Sequence, residues 1–234
     1  MDNQDGDVDA DAQINHADSL KYWNSVSSDV SGMLGGFPQV SRIDLRGSQN
    51  FLTKLRRLAG DTANGNLSLG VDCGAGIGRV TEGFLSKACE VVDIVEPVEK
   101  FANVLKEGQL KKEGKVGDLY TVGLESWKPT KMYDLIWNQW CVGHLTDAQL
   151  VKYLERCGKA LTPRGWIVVK ENLSTHRFGA DIFDDLDSSV TRSDEKFRAI
   201  FEQARLKVVR SELQTGFPKG LGLYPVKMYA LRPA

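Results

Sequence analysis

The segment Leu67-Ser68-Leu69-Gly70-Val71-Asp72-Cys73-Gly74-Ala75-Gly76-Ile77-Gly78-Arg79-Val80 constrains the fold of this chain more than any other. An apolar run of strand length enters three glycines at alternate positions and leaves into a helical pattern, so backbone can approach a ligand closely at a helix N-terminus. A dinucleotide-binding loop spaces its glycines G-x-G-x-x-G; here the third arrives one residue early, which speaks against a pyrophosphate ligand. The rest of the chain keeps the same alternation. Strands are predicted near 67–72, 91–96, 118–122, 132–137, 165–170, 206–213 and 224–231, with helices near 78–88, 98–107 and 147–161 and around Phe197, Ile200, Phe201 and Ala204. The 147–161 helix is the clearest, because Thr146 and Gln149 have the spacing of a capping box and Leu150, Leu154, Cys157 and Leu161 recur on one face. This pattern predicts an α/β fold, a mostly parallel seven-stranded sheet with helices on both faces. Two extra helices precede it, one carrying Leu20, Trp23, Val26 and Val30, the second starting at Ser48 with Phe51, Leu52, Leu55 and Leu58.

Composition narrows the class of protein. The chain has 234 residues with 30 basic and 31 acidic side chains, but residues 1–18 hold six Asp and no Lys or Arg, which leaves the remainder mildly basic. Residues 1–15 therefore read as a disordered acidic tail and 16–234 as a single domain. That mild excess is far from the strongly basic stripe of a nucleic-acid binder, so no nucleic-acid partner is expected. Cys73, Cys89, Cys141 and Cys157 form no CxxC pair and only three His are present; no metal site is expected, and reduced thiols suit the cytoplasm, with the nucleus as a second compartment. No apolar stretch approaches the ~18 residues of a membrane span. Without heptads or an evident apolar patch, a monomer is expected.

Two acids extend the glycine loop's message. The second predicted strand ends at Glu96, 20 residues after Gly76, where a carboxylate can accept hydrogen bonds from both hydroxyls of a ribose. After the third strand, Gly123-Leu124-Glu125-Ser126-Trp127 is placed to line an adenine. Acid-x-Gly-x-Gly-x-Gly resembles the loop of class I S-adenosylmethionine-dependent methyltransferases, whose Rossmann-like sheet has the order of elements predicted above. The Asn/Asp-Pro-Pro-Tyr/Phe motif of nucleic-acid amino-methyltransferases is replaced by Asn138-Gln139-Trp140-Cys141.

A more specific resemblance covers nearly all of the chain outside its acidic start. Met33-Leu34-Gly35-Gly36, Asp72 to Arg79, Gln139-Trp140 with Gly143-His144-Leu145, Lys170-Glu171-Asn172, Asp184-Asp185-Leu186-Asp187-Ser188-Ser189 and Tyr224 resemble the eukaryotic, and most closely the fungal, protein alpha-N-methyltransferases. That family methylates the α-amino group of proteins beginning Xaa-Pro-Lys, ribosomal proteins among them. The resemblance implies S-adenosylmethionine as cofactor and S-adenosylhomocysteine as product, held by Gly74, Arg79, Glu96, Pro97, Val98, Leu124, Glu125 and Gln139. It implies His144 and Asp187 beside the reacting amine, without deciding which takes the proton. It further implies Asp184 for the substrate lysine, Asn172 for substrate backbone, Trp23, Leu34 and Trp140 as a wall for the substrate proline, and Tyr22 and Tyr224 closing the channel.

Each of these residues also has a plainer reading. His144 stands just before a helix cap and could bond backbone there; Asp184, Asp185 and Asp187 could be a solvated loop; Trp23 and Trp140 could be core; Asn172 could be an ordinary turn residue. Two other functions stay open on sequence alone: a small-molecule methyltransferase with a closed apolar pocket, and a non-catalytic scaffold on the same fold.

Overall fold

A computed structural model describes residues 9–60 and 65–234. Its helices are α1 (His16–Ser25), α2 (Val30–Met33), α3 (Ser41–Leu58), α4 (Ser86–Ala88), α5 (Glu99–Glu107), α6 (Gln109–Lys112), α7 (Asp147–Lys159) and α8 (Asp194–Gln203). Its strands are β1 (Leu67–Cys73), β2 (Cys89–Val95), β3 (Val116–Tyr120), β4 (Tyr133–Gln139), β5 (Leu161–Asn172), β6 (Ile182–Asp184), β7 (Ser189–Thr191), β8 (Leu206–Leu213) and β9 (Val226–Pro233). Seven strands build one sheet in the order β3-β2-β1-β4-β5-β9-β8. It is parallel from β3 to β5 and antiparallel where β9 inserts between β5 and β8. Strand order reverses between β1 and β4, and open α/β sheets bind ligands outside the carboxyl ends of their strands at such a point.

Each face of the sheet carries its own core. Phe197, Phe201, Tyr153, Leu154 and Tyr229 pack on one side, and Phe51, Leu55, Phe84, Trp137 and Leu105 on the other. Central parallel strands are buried on both faces and so read as near-continuous apolar runs; Val91-Val92-Asp93-Ile94-Val95 is interrupted only by Asp93, which is buried against Lys131 and Tyr133. The predicted capping box is present: Thr146 Oγ1 accepts from Gln149 N, and the Gln149 side chain accepts from Thr146 N.

Several expectations need correction. The helix expected over 78–88 is π-helical at Thr81–Leu85 before its last turn. Among the described residues three α-helices, not two, precede β1, and α3 starts at Ser41 rather than Ser48; its first two turns bury Asp44 and Ser48, polar residues that conceal the apolar period. The strand predicted near 165–170 starts earlier, at Leu161, and takes in Pro163, Arg164 and Gly165. The pair β6 and β7 was not expected at all; with Asp184 opposite Ser189 it turns the acidic segment into a hairpin. Residues 1–8 of the expected acidic tail lie outside the described residues, but 9–15 are structured. Ala10–Gln13 form a 3-10 turn, and Asp11 accepts from the first backbone N–H of α7 at 2.8 Å, a carboxylate at a helix N-terminus that satisfies an otherwise unpaired donor.

Candidate active site

The glycine loop leaves β1 in a conformation that needs glycine. Gly74, Gly76 and Gly78 have φ of 66°, 56° and 84°, in the left-handed region that other residues avoid. A Cβ on Gly74 would lie 2.4 Å from Cys141 Cβ, and one on Gly76 would lie 2.6 Å from Met33 Sδ. The backbone is thus kept bare where the loop meets a deep cavity at the carboxyl ends of β1, β2 and β4. All eight residues expected around a cofactor line this cavity: Gly74, Arg79, Glu96, Pro97, Val98, Leu124, Glu125 and Gln139. Glu96 accepts from Gly76 N at 2.7 Å and Val98 N at 2.8 Å, while burial pushes its carboxyl up to about 7. A buried acid on the cavity wall, whose two oxygens each take one backbone donor and keep acceptor capacity for more, above a bare-backbone cradle, fits a ribose-bearing ligand. Trp127 departs from the adenine-lining expectation, because its indole is buried in the core against Tyr120, Tyr133 and Tyr153. Arg156 instead supports this loop, donating to the carbonyls of Leu124, Glu125 and Trp127.

Behind Arg79 and Gln139 lies a buried charge network that sequence reasoning missed. Asp44 of α3 accepts from Arg79 Nη1 at 2.8 Å and from Gln139 Nε2 at 2.8 and 2.9 Å, and its Oδ1 pairs with Lys170 Nζ at 2.5 Å. Gln139 is further fixed by Trp137 Nε1, which donates to Oε1 at 3.1 Å.

The opposite wall comes from the turn after β4 and from α1. Trp140, with φ of 54°, turns the chain out of the sheet, and its indole lines the cavity with the Arg79 guanidinium 5.5 Å from its ring. The turn is pinned twice. Glu171 accepts from Cys141 N and Val142 N at 2.8 and 3.0 Å, and buried Arg192 donates to the carbonyls of Val142 and Leu145 and to Asp147. His144, between those anchors, reaches the cavity wall. Its Nδ1 lies 3.0 Å from Ser19 Oγ, and its Nε2 accepts from Trp23 Nε1 at 3.1 Å. An indole N–H only donates, so Nε2 carries the lone pair and the ring is neutral. Burial holds the imidazole below its usual pKa, against the opposing pull of Asp187.

Asp187 sits at the end of the hairpin turn, with Oδ1 buried and no donor reaching it among the described residues. Burial raises its carboxyl above the usual carboxylate range. Asp184 is exposed and accepts from Leu186 N at 3.0 Å. Tyr22 feels both: burial and then the charges of Asp187 and Asp184 raise its phenol.

Of the residues expected on the acceptor side, Trp23, Trp140 and His144 line the same cavity as the cofactor set. Tyr22, Asp184 and Asp187 cluster just outside it. Leu34 does not reach the wall; it is buried, and its neighbour Met33 takes the place. Asn172, paired with Val226 at the end of β5, and the exposed Tyr224 stand off the cavity wall. Ser19, Met33, Asp44, Lys170 and Arg192 carried no role in the sequence reading. The partners of Ser19, Asp44, Lys170 and Arg192 lie far along the chain, and although Met33 and Lys170 fall in segments that carry the family resemblance, no local pattern assigns any of the five a role.

A glycine loop and ribose-seeking acid at the switch point of a 3-2-1-4-5 sheet extended by an antiparallel pair define a class I S-adenosylmethionine-dependent methyltransferase. Residues 11–232 match the family described as AdoMet dependent proline di-methyltransferase, and the chain belongs to that family. An alpha N-terminal protein methyltransferase 1 of Schizosaccharomyces pombe is 47% identical over 221 residues, 93% of this chain and 96% of the relative. An N-terminal Xaa-Pro-Lys N-methyltransferase 1 of Xenopus tropicalis is 38% identical over 226 residues, 96% of this chain and 98% of the relative. Among solved structures, a SAM-dependent methyltransferase of Leishmania major superposes with a TM-score of 0.81 at 37% identity, covering 93% of this chain and 82% of that one.

Proposed function

We propose that the chain methylates the α-amino group of proteins beginning Xaa-Pro-Lys, such as Ala-, Pro- or Ser-Pro-Lys, with ribosomal proteins among its substrates. One observation carries this reading: a neutral histidine on the cofactor cavity stands within the field of a buried, unpartnered aspartate oxygen. Bound in the cavity, S-adenosylmethionine supplies an electrophilic methyl group and leaves as S-adenosylhomocysteine. The chain's own task is then to hold an amine with a free lone pair. An α-amino group, with a pKa near 7.7–8.0, needs only a weak base, whereas a lysine near 10.4 is almost wholly protonated.

Both nitrogens of His144 are engaged, by Ser19 and Trp23, which favours Asp187 Oδ1 as the proton acceptor, with His144 orienting the amine indirectly through the Trp23 and Ser19 side chains it holds at the acceptor wall. Burial raises the basicity of Asp187, as a general base requires. Asp184, exposed on the same hairpin, is free to meet a lysine ammonium at the third position. Trp23 and Trp140 offer flat apolar faces to a proline ring, with Met33 on the cavity wall and Leu34 buried beside it. Asn172 retains a side-chain amide for substrate backbone at the end of β5, and Tyr22 and Tyr224 flank the approach.

The test is a labelled-methyl assay with three peptides: one beginning Pro-Pro-Lys, the same peptide N-acetylated, and one with Glu in place of the third-position Lys. Label is expected on the first and lost on the other two. Equal label on the acetylated peptide would overturn the α-amine assignment; equal label on the Glu peptide would remove Asp184 from recognition.

A further inference from the structure

Lys170 is a fully buried ammonium on a central strand, outside the cavity and unused by the mechanism above. Its bonds leave no doubt of its partners: Asp44 Oδ1 at 2.5 Å, the Asp44 carbonyl and Ser48 Oγ at 3.0 Å each, and Gln214 Oε1 at 2.9 Å. Burial presses its pKa down while Asp44 pulls it up. An ammonium out of water is costly unless paired and hydrogen-bonded, and an apolar side chain at this point of β5 would have packed without that cost. The chain nevertheless keeps a cation there, one residue away from the turn that holds Trp140, whose backbone N–H donates to the Lys170 carbonyl at 3.0 Å.

The consequence lies on the far side of Asp44. One carboxylate serves two cations, Lys170 and Arg79. An isolated Arg79–Asp44 pair would present the cavity with a neutral group, whereas the trio keeps a net positive charge, and Arg79 is its member on the cavity wall. Arg79 bonds Asp44 and Ser41 through Nη1 alone, so Nε and Nη2 are left as a fork for a carboxylate. The other acid that feels Arg79, Asp72, is engaged by Thr81 Oγ1 at 2.6 Å beneath the loop and makes no bond to the trio.

We infer that Lys170 is a positioning and specificity-determining residue for the cofactor's amino-acid end. By sharing Asp44's single negative charge it leaves the charge of the Arg79 guanidinium uncompensated toward the cavity, so that the site selects ligands carrying a carboxylate over the bare nucleoside. This rests on S-adenosylmethionine binding in this cavity, and the test separates the two claims.

Calorimetry of the full chain with S-adenosylhomocysteine and with 5′-methylthioadenosine, the same nucleoside thioether without the amino-acid carboxylate, gives the selectivity directly. Lys170→Met is expected to weaken S-adenosylhomocysteine about tenfold while methylthioadenosine stays within about twofold. Lys170→Arg restores the preference, and Asp44→Asn, which removes the opposing charge, moves the ratio the other way. A purely structural Lys170 would weaken both ligands alike, and that result, or an unchanged ratio, overturns the inference. If Lys170→Met does not fold, Lys170→Gln carries the same expectation with one hydrogen bond retained. Failure of the unaltered chain to bind either ligand would overturn the cavity assignment itself and this inference with it.

Discussion

Trp23 Nε1 donates a hydrogen bond to His144 Nε2 across 3.1 Å, joining the first helix of the chain to the turn after the fourth strand. The bond fixes a protonation state as well as a position. With Nε2 accepting, the imidazole proton sits on Nδ1 and faces Ser19 Oγ, so α1 holds both ring nitrogens of the residue nearest the acceptor end of the cavity.

Removing that donor should therefore change a titration. A donor to the Nε2 lone pair favours neutral imidazole, so Trp23→Phe is expected to raise the His144 pKa toward its ordinary value near 6.5. The sign for stability follows: a histidine held below its unfolded value contributes stability above that value, lost as pH falls through the depressed folded pKa. Trp23→Phe should narrow this acid-side loss. NMR titration of the His144 ring reads the shift, and an unmoved pKa would show that burial alone sets it.

Asp187→Asn tests the proton acceptor. Loss of a general base costs about 10²–10⁴ in turnover, while the cofactor residues on the glycine loop and at the end of β2 are untouched. The expected outcome is a fall in kcat of that size with the dissociation constant of S-adenosylhomocysteine within about twofold of the unaltered chain. A turnover number left intact would transfer the role to His144 or to water.

The two halves of the site differed in how far the sequence disclosed them, and the reason is physical. The cofactor half is built from short-range features: glycine spacing after a strand, an acid at the end of the next strand, a loop after the third. Each is local in sequence, and together with the family resemblance that implied the full set of eight residues they point to one cavity, which those eight residues line. The acceptor half depends on contacts between distant segments. Ser19 meets His144 from 125 residues away, and Trp23 meets it from 121 away. Strands of three residues, as in β6 and β7, are too short to show alternation, so the acidic hairpin read as a loop. Leu34, which the resemblance implied for the proline wall, is buried beside Met33, which lines the cavity. Asp44, Ser48 and Lys170 break the apolar pattern because they are buried polar residues satisfied by one another, and a pattern reading assigns such residues to the surface.

Glu96 should make nucleoside binding proton-linked. Its folded pKa is raised to about 7 by burial, so it contributes stability to the free chain at low pH that is lost as pH rises through about 7. Ribose hydroxyls donating to the carboxylate favour its charged form and lower that pKa. Binding of methylthioadenosine, which lacks the cofactor's own amine, is therefore expected to release up to one proton below about pH 7 and to tighten as pH rises toward 7. Calorimetry in two buffers of different ionisation enthalpy counts the proton, and Glu96→Gln should abolish its release. Proton uptake, or none, would exclude direct contact between ribose and an ionised Glu96.

Arg192 supplies the last separation of roles. It is fully buried and donates to Asp147 Oδ1 at 2.8 Å, to the Leu145 carbonyl at 2.6 Å and to the Val142 carbonyl at 3.3 Å, thereby gripping the turn on both sides of His144. Arg192→Met would strand two buried carbonyls, while Asp147 keeps Lys196 at 2.7 Å. Breaking such a buried set costs about 2–4 kcal/mol, equivalent to a fall in Tm of about 5–15 °C for a domain of this size. Arg192→Lys restores the charge opposite Asp147 but not the forked grip on the carbonyls, so it should recover less than half of that loss. Because Gly74 and Glu96 lie just past the ends of β1 and β2 and make no bond to Arg192, S-adenosylhomocysteine affinity at a temperature where Arg192→Lys is folded should change less than twofold, while kcat/KM for a Pro-Pro-Lys peptide falls. An equal loss in both would mean that the His144 turn and the cofactor cavity move as one unit, and the assignment of Arg192 to the acceptor side would be wrong.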